Sequence, residues 1–99
     1  MKFVFTPEAE QQADECDTWW RVNRKATAGL FASELATLKA LLLVSPNVGS
    51  VYALLDGQPV RRVLMKKTGN HLYYVVDSEH DQIIVHSVWG ASKEHGPEL

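Results

Sequence analysis

From Val60 to Trp89 the apolar positions fall into three short runs, VRRVLMKK, HLYYVV and QIIVHSVW, separated by the polar breaks TGN and DSEHD. Runs this short, rich in β-branched and aromatic residues and bounded by turn chemistry, predict consecutive antiparallel strands. Upstream the period lengthens. Ala9, Ala13, Cys16 and Trp20 recur at helical spacing and predict a helix over 7–22. Thr6 is suited to cap it, Pro7 to occupy its first turn, and Glu8 and Glu10 to lie at the positive end of its dipole. A second stripe of Ala28, Phe31, Leu35, Leu38 and Leu42, widened by Leu30 and Leu41, predicts a helix over 26–43 that stops at Ser45-Pro46-Asn47-Val48-Gly49. Its leucines cover only about two heptads, too few for a coiled coil, so packing as a helical hairpin on the sheet is expected.

Lys2 to Phe5 (KFVF) reads as a further strand, and Asp56-Gly57-Gln58-Pro59 as a turn. Val51 to Leu55 (VYALL) fits either an edge strand or a helical turn. After Trp89 the polar GASKEHGPEL predicts an irregular or frayed tail. The order β-α-α-β-β-β predicts an α+β fold: one domain over 1–99, with a helical hairpin on one face of a small, mostly antiparallel sheet and a polar tail at 89–99. The opposite face is left without a cover of its own. In so small a chain, that is where a partner or substrate is expected.

Charge changes this picture more than composition does. The 99 residues carry a net charge of −2, whereas proteins that live on nucleic acid are usually basic, because phosphate neutralisation supplies most of their affinity. Glu8, Glu10, Asp14, Glu15 and Asp17 form an acidic block; Arg21, Arg24 and Lys25 follow, and then Arg61, Arg62, Lys66 and Lys67. An acidic side and a basic side are expected. No uninterrupted apolar run approaches ~18 residues, and the start MKFVFTPEAEQ has no apolar signal stretch, so the expectation is a cytoplasmic protein without a membrane span. The single cysteine excludes an internal disulfide; beside Glu15 and Asp17, Cys16 reads as a small buried hydrophobe rather than a reactive thiol. Phosphate loops and zinc signatures are absent, so neither cofactor nor metal is expected, and His80, between Glu79 and Asp81, reads as a solvated turn residue.

The TPEA helix start, the helix-ending SPNVG and the run PVRRVLMKKTGNHLYYVVD…IIVHSVWGASKEHGP, in this order of elements, resemble the RelE/ParE toxin superfamily of bacterial type II toxin–antitoxin systems over nearly the whole chain. The resemblance implies a small cytoplasmic toxin of this fold. It also implies a cognate antitoxin encoded by an adjacent gene, whose disordered segment folds as it wraps the toxin. Two activities occur in the superfamily: RelE-like members cut mRNA on the ribosome, and ParE-like members poison DNA gyrase without a known catalytic site of their own. The tail, with Trp89 and a Gly-Pro pair, is more similar to the ParE-type branch. That implies growth inhibition by binding a protein target such as DNA gyrase. A RelE-like ribosome-dependent mRNA endoribonuclease is the alternative, and a non-toxic remnant of the fold is the third reading.

Cleavage of RNA by attack of a 2′-hydroxyl needs a base, an acid and a cation facing the phosphorane. Arg61 or Arg62 could be the cation, Lys66 or Lys67 could assist, and His71, His86, Tyr73 or Tyr74 could move protons. Strand period puts Arg61, Val63 and Met65 toward the helices and Arg62, Leu64 and Lys66 on the open face, where only one of Tyr73 and Tyr74 can join them. His86 goes with Ile84 and Val88, and a lone histidine on an apolar stripe is more often structural. The nuclease set is therefore Arg62, Lys66, Tyr73 and His86. RelE-like nucleases tend to place histidine, tyrosine or arginine just after the last strand, where this chain has Gly90-Ala91-Ser92 and then Lys93, Glu94 and His95. No catalytic constellation is carried over on that account. The residues expected to bind a target or the antitoxin are Arg61, Arg62, Lys66, Lys67, Trp89 and Lys93.

Overall fold

The computed structural model describes residues 1–99 and runs β1 (Lys2–Phe5), α1 (Pro7–Asn23), a 3-10 turn (Lys25–Thr27), α2 (Leu30–Val44), β2 (Ser50–Leu55), β3 (Gln58–Met65), β4 (Asn70–Asp77) and β5 (Gln82–Gly90). The strands form one sheet in the order β1-β5-β4-β3-β2, antiparallel throughout except where β1 runs parallel to β5. Ala9, Phe31, Leu38 and Leu42 from the helices meet Met65, Leu72, Tyr74, Ile83, Val85 and Val88 from the sheet, with Cys16, Trp20 and Leu35 partly buried around them. Burying each large side chain here contributes about 1.5–3 kcal/mol. This is the α+β hairpin-on-sheet architecture that the periodicity predicts.

α1 begins as expected, with the Thr6 hydroxyl accepting from the Ala9 N–H at 3.1 Å and Pro7 in the first turn. α2 begins later than the stripe suggests. The chain reverses through Lys25–Thr27, Gly29 takes the N-cap position, and Ala28 lies outside the helix. Inside a helix Gly29 would cost about 1 kcal/mol relative to alanine, so the boundary falls on it. Lys25–Val44, at a hydropathy of 1.5, is by length and composition apolar enough to cross a membrane, which the search for unbroken apolar runs missed. In this fold its Phe31, Leu38 and Leu42 are buried in the core.

VYALL resolves as an edge strand, so the sheet has five strands. Asp56 and Gly57, at φ of 50° and 79°, form a two-residue turn that pairs Leu55 with Gln58. The turn, not the run, decides for the strand. A second departure is a bulge in β5. Tyr73 pairs with Ser87 and Tyr74 with Val85, which leaves His86 without a partner. Val88 consequently joins the helix-side core, while alternation from Val85 puts His86 on the other face with Ile84.

The tail is irregular but not frayed. The Trp89 indole N–H donates to the His95 carbonyl at 2.7 Å, and Pro97 is buried. Gly96 seats so closely on the Tyr52 hydroxyl that a Cβ there would overlap it. The face opposite the helices is therefore partly roofed by the chain's own C-terminal segment.

Candidate functional site on the face opposite the helices

Val60, Tyr73 and Val75 form a small second core on this face, with Tyr52, Leu55 and Trp89 packed against it. Arg62 on β3 is the cross-strand neighbour of Tyr73 on β4. Its guanidinium lies 5.3 Å from the Tyr52 ring centroid and has no carboxylate partner. Tyr52 meets Tyr73 edge-on at 4.8 Å, and His71 meets Tyr73 at 6.0 Å. Burial, and then the positive charge of Arg62, holds His71 below its ordinary pKa and favours the neutral ring. Across the sheet His71 pairs with Trp89, whose ring carries the Lys93 ammonium at 4.1 Å. The result is an aromatic cluster with two cations at its rim.

Of the four nuclease candidates, the fold brings together only Arg62 and Tyr73. Tyr73 is 1% exposed beneath its neighbours. Lys66 departs from its expected face: β3 ends at Met65, alternation stops there, and Lys66 lines a groove against Glu34, Thr37, Leu38 and Leu41 of α2. His86 sits in the bulge, its pKa lowered by burial, and stands apart from the Arg62–Tyr73 pair because Ser87, not His86, is the residue opposite Tyr73.

Arg61 and Tyr74 are occupied structurally. The Arg61 guanidinium donates to the carbonyls of Gly49 at 2.8 Å and Asn47 at 3.3 Å. The Tyr74 hydroxyl donates to the Pro46 carbonyl at 2.7 Å and accepts from the Gly49 N–H at 3.0 Å, and burial pushes its pKa up. Lys67 uses its backbone: the Glu34 carboxylate accepts from the N–H groups of Lys67 and Thr68 at 2.6 and 3.0 Å and from the Thr68 hydroxyl at 2.6 Å. Cys16 is half-buried, its thiol pushed up by burial and then by Glu15, in keeping with a packing role.

Asp77, Glu79 and His80 bring potential ligand atoms together, but Asp77 and His80 are engaged in holding the β4–β5 turn. Asp77 accepts from the His80 N–H at 3.3 Å and from Gln82 at 3.1 Å, and contacts the His80 ring nitrogen at 2.8 Å. His80 is thus exposed, as expected, yet engaged. Tyr52 and the Gly96-Pro97 step are the parts of this face that sequence reasoning missed. Tyr52 lay in the ambiguous VYALL run, and the tail carried no periodic signal.

Solved structures share the architecture. The chromosomal ParDE TA system from P. aeruginosa matches at a TM-score of 0.68 and 15% identity, over 93% of this chain and 97% of that one. The intact E. coli RelBE toxin-antitoxin complex matches at 0.62 and 18% identity, over 93% and 98%. This is the RelE/ParE toxin fold. No family model and no curated protein matches the sequence. Because a ParDE and a RelBE structure both match, the fold does not distinguish between them.

Proposed function

We propose that this protein is the toxin of a type II toxin–antitoxin pair, neutralised by a partner encoded beside it, and that it inhibits growth by binding a protein target, DNA gyrase first among them. Support for the toxin reading comes from the fold and from the sequence resemblance together. Support for binding over catalysis comes from one observation: the face on which an RNA-cleaving site would have to be built is partly roofed, and its candidate tyrosine is buried. Tyr73 is buried under Tyr52, the tail lies over the same cluster, and Lys66 points into a different groove. A general acid or base must come within about 2.6–3.2 Å of the proton it moves, and Tyr73, 1% exposed, offers little surface for such an approach. What the face offers instead is a rim: Arg62, Trp89, Lys93 and the docked tail.

The RelE-like reading is second, and it rests on the neutral His71 beside Arg62, a base paired with a cation. The two separate on induction of the protein in growing cells. Mapping mRNA ends alongside a gyrase supercoiling assay with purified protein should show inhibited gyrase and uncut mRNA. Codon-periodic cuts with unaffected gyrase would establish the nuclease instead, and Arg62→Ala should then lower the cleavage rate about a hundred- to thousandfold. Growth unaffected by induction would indicate the non-toxic remnant.

A further inference from the structure

β1 ends at Phe5, opposite Val85, whereas β5 runs on to Gly90. Beyond Val85 the outer edge of β5 is met by α1 instead of a strand. The Gln12 carboxamide oxygen accepts from the Val88 N–H at 2.8 Å and from the Ser87 hydroxyl at 3.0 Å. Next to this contact a cleft of about 380 Å³ opens between α1 and the ends of β4 and β5. A second hollow of about 260 Å³ shares its Cys16, Trp19 and Asn70 walls.

The mouth of the cleft is aromatic. Trp19 is 47% exposed and Trp89 half-buried. Each indole already carries a cation of the chain. The Lys93 ammonium lies 4.1 Å from the Trp89 ring centroid, and the Arg24 guanidinium, from outside the cleft, 5.3 Å from that of Trp19. The polar lining offers acceptors. Glu15 is in no ion pair, and one of its carboxylate oxygens makes no hydrogen bond within the protein. Asn70, 8% exposed, turns its amide nitrogen to the Thr68 hydroxyl at 3.2 Å and the Thr68 carbonyl at 3.5 Å. Its oxygen meets only the Cys16 thiol, at 3.9 Å. A thiol is a weak donor, so this buried oxygen keeps unused acceptor capacity at the cleft wall. Glu8, Glu10, Asp14 and Asp17 on the same helix strengthen the negative field around it.

We propose that this cleft binds an arginine side chain of a protein partner. The guanidinium lies against Trp19 and Trp89, donates to the Glu15 carboxylate and the Asn70 carboxamide oxygen, and takes the place of the Lys93 ammonium. Being planar, it stacks on an indole and donates in two directions at once, which an ammonium does not. Lys93 is then a built-in competitor. Its stem lies along Gly90, where an added Cβ would come within 3.4 Å of the Lys93 Cγ, and its ammonium holds the ring until the ligand displaces it. The inference goes beyond the toxin reading and stands without it.

The test titrates the full chain with the capped tripeptide acetyl-Gly-Arg-Gly-amide and follows the three indole N–H resonances by NMR. Saturable shifts of Trp19 and Trp89 are expected. The same peptide with citrulline, which keeps the shape and loses the charge, should give none. Glu15→Gln, on an exposed part of α1, should weaken binding about tenfold by removing a charge-assisted contact. Lys93→Ala should tighten it about two- to fivefold by removing the competitor. No saturable shift in either the wild-type or the Lys93→Ala protein overturns the inference. Equal binding of the citrulline peptide, or of a lysine peptide, overturns the guanidinium assignment and the inference with it. Weaker binding by Lys93→Ala would mean that the lysine contacts the ligand directly, and overturns it as well. None of these outcomes bears on growth inhibition, so the toxin reading is tested separately.

Discussion

One phenol oxygen ties the link between α2 and β2 to the sheet. Tyr74 bridges the Pro46 carbonyl and the Gly49 N–H from a wholly buried ring. Tyr74→Phe keeps the packing and strands both backbone groups, each at a cost of about 1–3 kcal/mol if it stays dry. Chemical denaturation should show that loss with little change in the slope against denaturant. The histidines make a second prediction at this scale. Burial holds His71 and His86 below their ordinary 6.5, so an unfolded chain takes up protons before the folded one does. Their contribution is therefore complete above about pH 6.5 and declines as pH falls. Asp77, lowered from 3.8 by Gln82 and His80, gives way only in a more acidic window. Urea midpoints should hold steady from pH 8 to 7 and drop between 6.5 and 5, and His71→Gln with His86→Gln should flatten that drop.

Among the elements, α1 and α2 were the most legible and the sheet's details the least. The cap at Thr6 and the stripe Phe31, Leu38, Leu42 are local signals, written in spacings that a single helix obeys. Tyr52 and His86 depend on what lies outside their own runs of apolar residues: VYALL became a strand because of the turn after it, and Val88 parted from His86 and Ile84 because of one unpaired residue in β5. No period within a run encodes either. The same holds for Lys66, whose direction follows from where β3 stops, and for the link that stops it. Glu34 in α2 caps the β3–β4 turn through three short hydrogen bonds. Glu34→Ala should cost about 1–3 kcal/mol. It should also raise amide exchange at Lys67 and Thr68 while that in α1 stays as it was, which would separate a loosened turn from a globally weaker fold.

For the whole molecule, the candidate site was half legible. Strand period put Arg62 on this face and left Tyr73 or Tyr74 to join it, while Trp89 and Lys93 were named as binding residues of the tail with no face assigned. The roof over them was not legible, because Gly96 on Tyr52 is a contact between residues 44 apart in sequence with no repeating pattern to announce it. Gly96→Val cannot seat on that hydroxyl. It should release the tail, free the Trp89 indole from the His95 carbonyl and raise exchange at Tyr52, while the helix-side core keeps most of its stability. An unshifted Trp89 emission in that variant would mean that the tail is held by something other than the Gly96 seat.

β1 has a single neighbour in the sheet, and that neighbour is β5: Lys2 lies opposite Gln82 and Phe5 opposite Val85. The opening strand of the chain thus has nothing to pair with until the closing strand exists. β5 is made about 80 residues after β1, so Phe3 and Phe5 have no sheet partner until it emerges. Closing so long a loop is an entropic cost that comes before any contact offsets it, and pairings of this kind slow folding. β2, β3 and β4 can pair as they emerge, but β1 joins the sheet only when β5 is in place.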